Sequence, residues 1–332
     1  MNNPEEAIDL IFNSSASFEE RCSRVFQFQA ERNPFLKRFF EPFGLKPTSN
    51  PSPKEIPLMP IRAFKDRKIV VESEGNDPEL IFKSSGTSEM SRSTHYILSR
   101  QFYETAILEE FKKYFPFDEY ITLFYLPGYD QNPYSSLIWM AKYLVGSDPS
   151  GESQFVSLDE LTEIDSLFQS NDKKILLFGA AFGLIDLAES GKIEPIDGLE
   201  ILETGGMKTH RREMDKTELR QILSDGFEVP LNKIHSEYGM CELLSQMYSI
   251  GDEWFQTPHW VRVSVRDPKN PSRICDVGEE GKIGIIDLAN IYSCPYILAD
   301  DRGVMNSSGR FKVLGRWNPN DLRGCNFLID NE

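Results

Sequence analysis

The chain has 332 residues, and its 36 Lys and Arg against 52 Asp and Glu give a formal net charge of −16 at pH 7. Such a chain is longer than one hydrophobic core usually supports, which predicts two or three packed subdomains. The acidic excess opposes extended contact with the phosphates of nucleic acid or an anionic membrane, so a nucleic-acid-binding function is not expected.

The N-terminal segment carries no targeting signal. It begins Met1-Asn2-Asn3-Pro4-Glu5-Glu6, without the basic and apolar regions of a signal peptide, and no stretch of the chain approaches about 18 consecutive apolar residues. We therefore expect a cytoplasmic protein without integral membrane association.

The cysteines and histidines give no sign of a structural metal site. The five cysteines are scattered and odd in number, without a paired C-x-x-C spacing, and they are Cys22, Cys241, Cys275, Cys294 and Cys325. The four histidines show no H-E-x-x-H spacing. We expect free thiols, with Cys22 in the core.

The N-terminal part, residues 1–60, is predicted to be a helical lead followed by a proline-rich segment. Residues 1–45 carry helical patterns, including a capping box formed by Ser17 and Glu20. Five prolines then fall between positions 47 and 60, which predicts extended or turned backbone along the surface.

The remainder of the chain is predicted to form two further parts. Between residues 61 and 254, apolar runs alternate with helical periods, which predicts a layered α/β sheet. The runs lie at 121–126, 155–158, 175–178 and 199–203, and the helical periods at 135–145, 180–189 and 213–223. From residue 255 to 332, short strands punctuated by Pro and Gly predict a smaller β-rich subdomain that ends in a cysteine-containing tail.

The first candidate functional segment is the hydroxyl-rich loop Lys83-Ser84-Ser85-Gly86-Thr87-Ser88. It lies between two strand-like segments, and such a loop presents backbone N–H groups and hydroxyls to a phosphate. It lacks the G-x-x-x-x-G-K-[ST] pattern, so Walker-type phosphate binding is not predicted. Taken alone, the loop is more typical of a flexible surface connection.

Two glycine-containing segments follow later predicted strands. They are Glu203-Thr204-Gly205-Gly206-Met207-Lys208 and Ser236-Glu237-Tyr238-Gly239-Met240-Cys241-Glu242. Glycine lets a flat ring approach the backbone, and Tyr238 could stack on a base. We place Glu242 at the start of a helical stretch, where its oxygens could hold Mg²⁺. Each segment alone is more typical of a tight turn with a surface carboxylate.

The C-terminal region supplies Ala299-Asp300-Asp301-Arg302-Gly303, then Gly315-Arg316, and finally Leu322-Arg323-Gly324-Cys325. In an acidic turn, Asp301 can accept two hydrogen bonds from a ribose diol, and Arg316 can hold ribose or phosphate oxygens. Cys325 lies close to the end of the sequence, where the backbone can move. The alternative is an acidic turn, a strand-end arginine and a buried cysteine.

The order of these segments resembles the adenylate-forming superfamily of acyl- and aryl-CoA ligases. Residues 84–88 resemble its phosphate loop, residues 238–242 its Tyr-Gly-x-Thr-Glu motif, residues 299–303 its Thr-Gly-Asp motif, and residues 315–316 its hinge-side Gly-Arg. More narrowly, the chain resembles the LuxE-type acyl-protein synthetases, the long-chain-fatty-acid–protein ligases, over nearly its whole length. This narrower resemblance rests on Ile56-Pro57-Leu58-Met59-Pro60-Ile61, Phe64-Lys65, Ser135-Ser136-Leu137, Gly205-Gly206-Met207-Lys208 and Leu322-Arg323-Gly324-Cys325.

The resemblance implies a fold and a reaction. The fold is a layered α/β/α core like the N-terminal domain of adenylate-forming enzymes, with a smaller C-terminal β-rich subdomain and no large mobile lid. The reaction is activation of a carboxylic acid, a long-chain fatty acid in this family, by ATP and Mg²⁺ as an acyl-adenylate, followed by capture on Cys325. The acyl group then passes to a partner such as an acyl reductase.

The resemblance also implies roles for individual residues. Glu242 would bind Mg²⁺ and, with Cys325 and Lys208, take part in catalysis. The nucleotide would contact Ser84, Ser85, Gly86, Thr87, Ser88, Gly205, Gly206, Tyr238, Gly239, Asp301 and Arg316.

Several positions depart from the superfamily pattern. Cys241 stands in place of Thr, Ser91-Arg92 in place of Pro-Lys, and Asn318 where the hinge often has Asp. We expect the usual lid with its catalytic lysine to be absent. The charge that stabilises the α-phosphate must then come from Lys83, Lys208, Arg302 or Arg316. Two alternatives stay open: a ligase that delivers its acyl group to CoA or a carrier protein, and a non-catalytic scaffold that binds an acyl-adenylate-like ligand.

Overall fold

The computed structural model describes residues 3–72, 77–84, 92–128, 132–162, 173–205 and 214–317. The chain begins with a helical lead, as predicted. Its helices are α1 (Pro4–Ile8), α2 (Phe18–Arg32) and α3 (Pro34–Phe40), with a π turn at Asp9–Asn13 and a 3-10 turn at Glu41–Phe43.

Helix α2 begins where the sequence predicts it. Ser17 accepts a hydrogen bond from the Glu20 N–H at 3.2 Å, and the Glu20 carboxylate accepts one from the Ser17 N–H at 2.8 Å. This capping box satisfies two of the N–H groups that a helix start leaves unpaired. Cys22 lies on the buried face of this helix, fully enclosed.

The proline-rich segment leads into short elements. These are β1 (Met59–Pro60), α4 (Ala63–Asp66), β2 (Leu80–Lys83), β3 (Thr94–Ile97) and α5 (Arg100–Tyr114). Strands β2 and β3 pair antiparallel as a two-stranded sheet, with Lys83 opposite Thr94. The hydroxyl-rich loop therefore starts from a hairpin.

The centre of the molecule is a six-stranded sheet in the order β5-β4-β6-β7-β8-β9. Its strands are β4 (Tyr120–Tyr125), β5 (Gln154–Phe155), β6 (Lys174–Ala180), β7 (Leu199–Thr204), β8 (Ile234–Tyr238) and β9 (Met247–Ser249). All neighbours are parallel except β8 and β9. The connecting helices are α6 (Ser136–Ser147), α7 (Leu158–Thr162), α8 (Ala181–Ser190) and α9 (Lys216–Gly226).

Helices cover both faces of this sheet because successive side chains of a strand point to opposite sides. In β6, Ile175 and Leu177 pack in one hydrophobic cluster with residues of α8 and α9. Leu176 and Phe178 pack in the other cluster, which includes residues of α5 and α6. The layered α/β/α fold predicted from the sequence is confirmed.

A second, five-stranded sheet contains β10 (Val261–Arg266), β11 (Gly281–Asp287), β12 (Tyr296–Met305) and β13 (Phe311–Arg316). These strands pair antiparallel, and β1 from the N-terminal part adds to β12 in parallel. From residue 255 to Trp317, the helical structure described is the single 3-10 turn Leu288–Asn290. The β-rich C-terminal part is therefore confirmed.

The division into three parts at residues 60 and 254 stays a prediction. Strand β1 of the first part, residues 1–60, pairs with β12 of the last part, residues 255–332. Among the described residues, no separate lid domain follows β13. Within the same ranges, no helix has both the length and the apolar composition to cross a bilayer.

Candidate nucleotide-binding site

The carboxyl ends of β7 and β8 bring two predicted segments together. Thr204 is the register partner of Glu237, so Gly205 leaves its strand beside Tyr238. Gly205 has a left-handed φ of 81°, which favours glycine, and a Cβ placed there would meet nothing within 4 Å. Ligands of open parallel sheets bind at this edge. The structure therefore places Gly205 and Tyr238 where a nucleotide could lie.

Asp301 joins this edge to the second sheet. The Tyr238 hydroxyl donates to Asp301 Oδ2 at 2.8 Å, and Arg316 Nε donates to Asp301 Oδ1 at 3.2 Å. A carboxylate offers about four lone-pair sites, so each oxygen can accept one hydrogen bond more, which suits a diol. Burial and the Asp301 charge raise the pKa of Tyr238 well above its ordinary value, so its hydroxyl stays a donor.

The aromatic surroundings of Tyr238 hold its ring in place. Its ring centroid lies 5.8 Å from that of Phe255 and 5.6 Å from that of Phe311. Both contacts are inclined rather than parallel, as aromatic pairs prefer.

The prediction that Asp301 lies in a turn is wrong. Asp301 is a mid-strand residue of β12, directly opposite Arg316 of β13. The hairpin turn follows instead at Asn306 and Gly309, where the Asn306 side chain accepts from backbone N–H groups and Gly309 has φ of 80°.

Strand geometry also separates the two neighbouring aspartates. Because neighbours in a strand point to opposite faces, Asp300 points away from Asp301. Its carboxylate accepts from Lys282 Nζ at 2.9 Å and from Arg62 Nε at 3.0 Å.

The prediction that Glu242 starts a helical stretch is also wrong. Residues 239–246 form an irregular connection between β8 and β9. The Leu244 and Ser245 N–H groups donate to Asp287 Oδ2, at 3.0 and 3.1 Å, rather than to carbonyls of a helical turn. Burial raises the pKa of Asp287 to about 6. The Asp287 side chain, distant in sequence, thus accepts the hydrogen bonds of these two backbone N–H groups, which in a helix would go to backbone carbonyls.

Glu242 fits the role of a magnesium ligand. The residue is only 5% exposed, yet within the described ranges no group donates a hydrogen bond to its carboxylate. After burial and the Asp301 charge, the Glu242 charge also raises the pKa of Tyr238. No group of three or more metal-ligating side chains occurs in the described part of the chain. A single carboxylate suits Mg²⁺, which proteins usually hold through one or two carboxylates and substrate phosphates.

The base of the hydroxyl-rich loop is closed by hydrogen bonds. Ser84 N donates to Ser93 O, and Ser93 N donates to Ser84 Oγ, both at 3.0 Å. Ser84 Oγ thus fixes the hairpin, and its phosphate contact stays a prediction. The other predicted site residues in this loop lie outside the described residues, and they are Ser85, Gly86, Thr87 and Ser88. The same holds for Gly206, Lys208 and Cys325.

Sequence reasoning missed several buried polar residues around the site. Glu237 precedes Tyr238, accepts a hydrogen bond from the Thr204 hydroxyl, and is 5% exposed. Burial raises the pKa of its carboxyl to about 7. His95, Asp287 and Asn290 bond to residues 241–245. The available signal was a charged or polar residue inside an apolar strand pattern, as at Glu237.

This fold is shared with adenylate-forming ligases of known structure. The chain superposes on 2-hydroxyisobutyryl-CoA ligase in the postadenylation state with 2-HIB-AMP at a TM-score of 0.68 and 14% identity, covering 90% of this chain and 67% of that one. An ATP-bound RpMatB–BxBclM chimera gives 0.54 at 15% identity, covering 74% and 50%. A malonyl-CoA ligase product complex with methylmalonyl-CoA and AMP gives 0.50 at 14% identity, covering 74% and 55%.

These superpositions establish a shared fold, and the sequence itself establishes the family. Residues 137–332 match the family described as "Acyl-protein synthetase, LuxE". The chain belongs to the LuxE acyl-protein synthetase family, which confirms the resemblance predicted from its motifs. Comparison with curated protein sequences gives no match.

Proposed function

We propose that the protein activates a carboxylic acid, a long-chain fatty acid, with ATP as an acyl-adenylate and then captures the acyl group as a thioester on Cys325. The thioester passes to a partner such as an acyl reductase. The observation that carries this proposal is the junction of Tyr238, Asp301 and Arg316 at the carboxyl edge of the central sheet, with the buried residue Glu242 four positions after Tyr238.

Nucleotide binding would use groups from both sheets. Asp301 would accept the two ribose hydroxyls, while Arg316, whose side chain is 66% exposed, is free to turn toward ribose or phosphate oxygens. Gly205 and Gly239 would let the base approach the backbone. A Cβ at Gly239 would displace the Glu237 carboxylate, which accepts a hydrogen bond from Thr204.

In the adenylation step, a substrate carboxylate oxygen attacks the α-phosphorus of ATP, and the bond to pyrophosphate breaks. When bound, Mg²⁺ would be held by Glu242 and would neutralise phosphate charge. A protein cation must also stabilise the α-phosphate. Arg302 already has two protein partners: its Nη2 donates to Leu314 O at 3.2 Å, and its Nε forms an ion pair with Glu280 at 3.0 Å. Lys208 remains our proposed source of this charge.

In the capture step, the Cys325 thiolate attacks the acyl carbon, a carbon–sulfur bond forms, and AMP leaves. Burial of the other cysteines supports this choice. Cys22, Cys241, Cys275 and Cys294 are all buried, and burial raises the pKa of both Cys22 and Cys294 to about 12. A buried thiol with a raised pKa forms little thiolate and is a poor nucleophile.

The test is incubation with ATP, Mg²⁺ and radiolabelled fatty acid, followed by a denaturing gel with and without neutral hydroxylamine. The proposal expects label on the protein that hydroxylamine removes. Formation of acyl-CoA without labelled protein would instead indicate a ligase directed to CoA or a carrier. Absence of any acid-dependent pyrophosphate exchange would indicate a binding scaffold.

A further inference from the structure

The segment that carries Glu242 is held by side chains from distant parts of the chain. His95 donates from Nδ1 to the Cys241 carbonyl at 2.7 Å, and Asn290 donates from Nδ2 to the Glu242 carbonyl at 2.9 Å. Both side chains are fully buried. The peptide units on either side of the Glu242 α-carbon are thus fixed by groups outside the segment.

The position of His95 on β3 links the Glu242 segment to the β2–β3 hairpin. His95 belongs to β3, opposite Phe82 of β2, and lies two residues after Ser93, which closes the base of the hydroxyl-rich loop through Ser84. The hydrogen bond from His95 to Cys241 therefore connects the β2–β3 hairpin, where the predicted phosphate loop starts, to the segment that carries Glu242.

The His95 ring is suited to act as a fixed connection. Its plane stands at 84° to the Phe64 ring, with centroids 5.5 Å apart, so the imidazole has a defined orientation. Burial lowers its pKa to about 4, so the ring stays neutral under ordinary conditions. Because the Cys241 oxygen can only accept, the single ring proton resides on Nδ1.

We propose that His95 is a positioning residue that fixes the Glu242 segment relative to the β2–β3 hairpin, and that Glu242 so held would bind Mg²⁺. The inference rests on the proposed function of Glu242. Groups that orient a metal ligand without touching the metal commonly change metal affinity by about 10–100-fold when they are removed.

The experiment measures pyrophosphate exchange as a function of Mg²⁺ concentration in the whole chain, and isothermal titration calorimetry measures the Mg²⁺ dissociation constant of the same variants. His95→Leu, which removes the donor, should raise the half-saturating Mg²⁺ concentration about 10-fold or more. His95→Asn returns an N–H donor near the Nδ1 position and should restore at least part of the affinity. If His95→Leu fails to fold, Asn290→Ala tests the same segment through the Glu242 carbonyl.

A matched control separates positioning from general stability. Leu223 is fully buried in α9, in the cluster on the other face of the sheet. Leu223→Ala should lower the melting temperature through cavity formation but leave the Mg²⁺ dependence unchanged. A similar shift in Mg²⁺ dependence in both variants would overturn the positioning role.

The double variant distinguishes failure of this inference from failure of the proposed function. If His95 acts through Glu242, adding His95→Leu to Glu242→Gln should cause no further shift in Mg²⁺ dependence. If Glu242→Gln alone shifts the dependence and His95→Leu does not, the positioning role is wrong and the metal site stands. If Glu242→Gln has no effect, both are wrong.

Discussion

Replacement of Asp301 tests the nucleotide site most directly. Its carboxylate would accept two ribose hydroxyls, and a hydrogen bond to a charged group contributes a net of about 1.5–3 kcal/mol. Because two bonds to one carboxylate are not additive, Asp301→Ala should weaken ATP binding by about 2–3 kcal/mol, or about 30–150-fold in Kd.

The fold should survive this substitution. The Arg316 side chain is 66% exposed, and an ion pair with such a partner contributes only about 0–1 kcal/mol. The Tyr238 hydroxyl loses its acceptor, which costs about 1–3 kcal/mol. That is less than the stability of a typical domain, about 5–15 kcal/mol.

The neighbouring aspartate supplies the matched control. Asp300 points to the opposite face and pairs with Lys282 and Arg62, so Asp300→Ala should leave the affinity for ATP nearly unchanged. Isothermal titration calorimetry with ATP measures both variants, and circular dichroism checks their folding. Equal loss of affinity in the two variants would refute the assignment, because neighbours on a strand cannot both face the same ribose.

Three further outcomes are expected. Glu242→Gln should reduce carboxylate-dependent pyrophosphate exchange by about 10²-fold or more, and an unchanged rate would exclude the Mg²⁺ role. Cys325→Ser should keep pyrophosphate exchange and lose hydroxylamine-labile acyl-protein, whereas a structural cysteine would lower stability and both activities together. Burial alone would raise the pKa of Glu200, but hydrogen bonds from His235 and Lys233 outweigh it and hold the pKa at about 2. Since this pKa is lowered from 4.5, the ionised carboxylate should stabilise the protein at neutral pH, and the effect should vanish as the pH falls from 4.5 toward 2. Urea titrations should therefore show wild type more stable than Glu200→Gln by about 2 kcal/mol near neutral pH, with the gap closing in acid, and parallel curves would contradict this linkage.

Local sequence determined much of the secondary structure. The capping box at Ser17 and Glu20 marks the start of α2, because the groups that satisfy a helix start lie within four residues of one another. The alternation of apolar runs and helical periods predicted the layered sheet, since each strand buries both faces under its connecting helices. The order of the motifs was sufficient to identify the family.

Local sequence failed where a distant group decides the backbone conformation. The sequence around Asp301 predicts a turn, but pairing with β13 extends β12 past it to Met305. Strand β1 contributes to the C-terminal sheet although more than two hundred positions separate it from β12. The pairing of β1 leaves no local signature, because its partner strand lies far away in the sequence.

The environment of Glu242 also combines a feature that local sequence predicts with contacts that only the tertiary structure shows. Its sequence motif predicted a metal ligand, whereas the helical start expected around it is replaced by hydrogen bonds to Asp287, Asn290 and His95. A buried N–H or carbonyl must find some partner, but the sequence does not state which one. The sequence by itself determined which residues are suited to the chemistry. Only the tertiary structure decided which distant side chains hold them in place, because long-range packing determines the partner of a buried polar group.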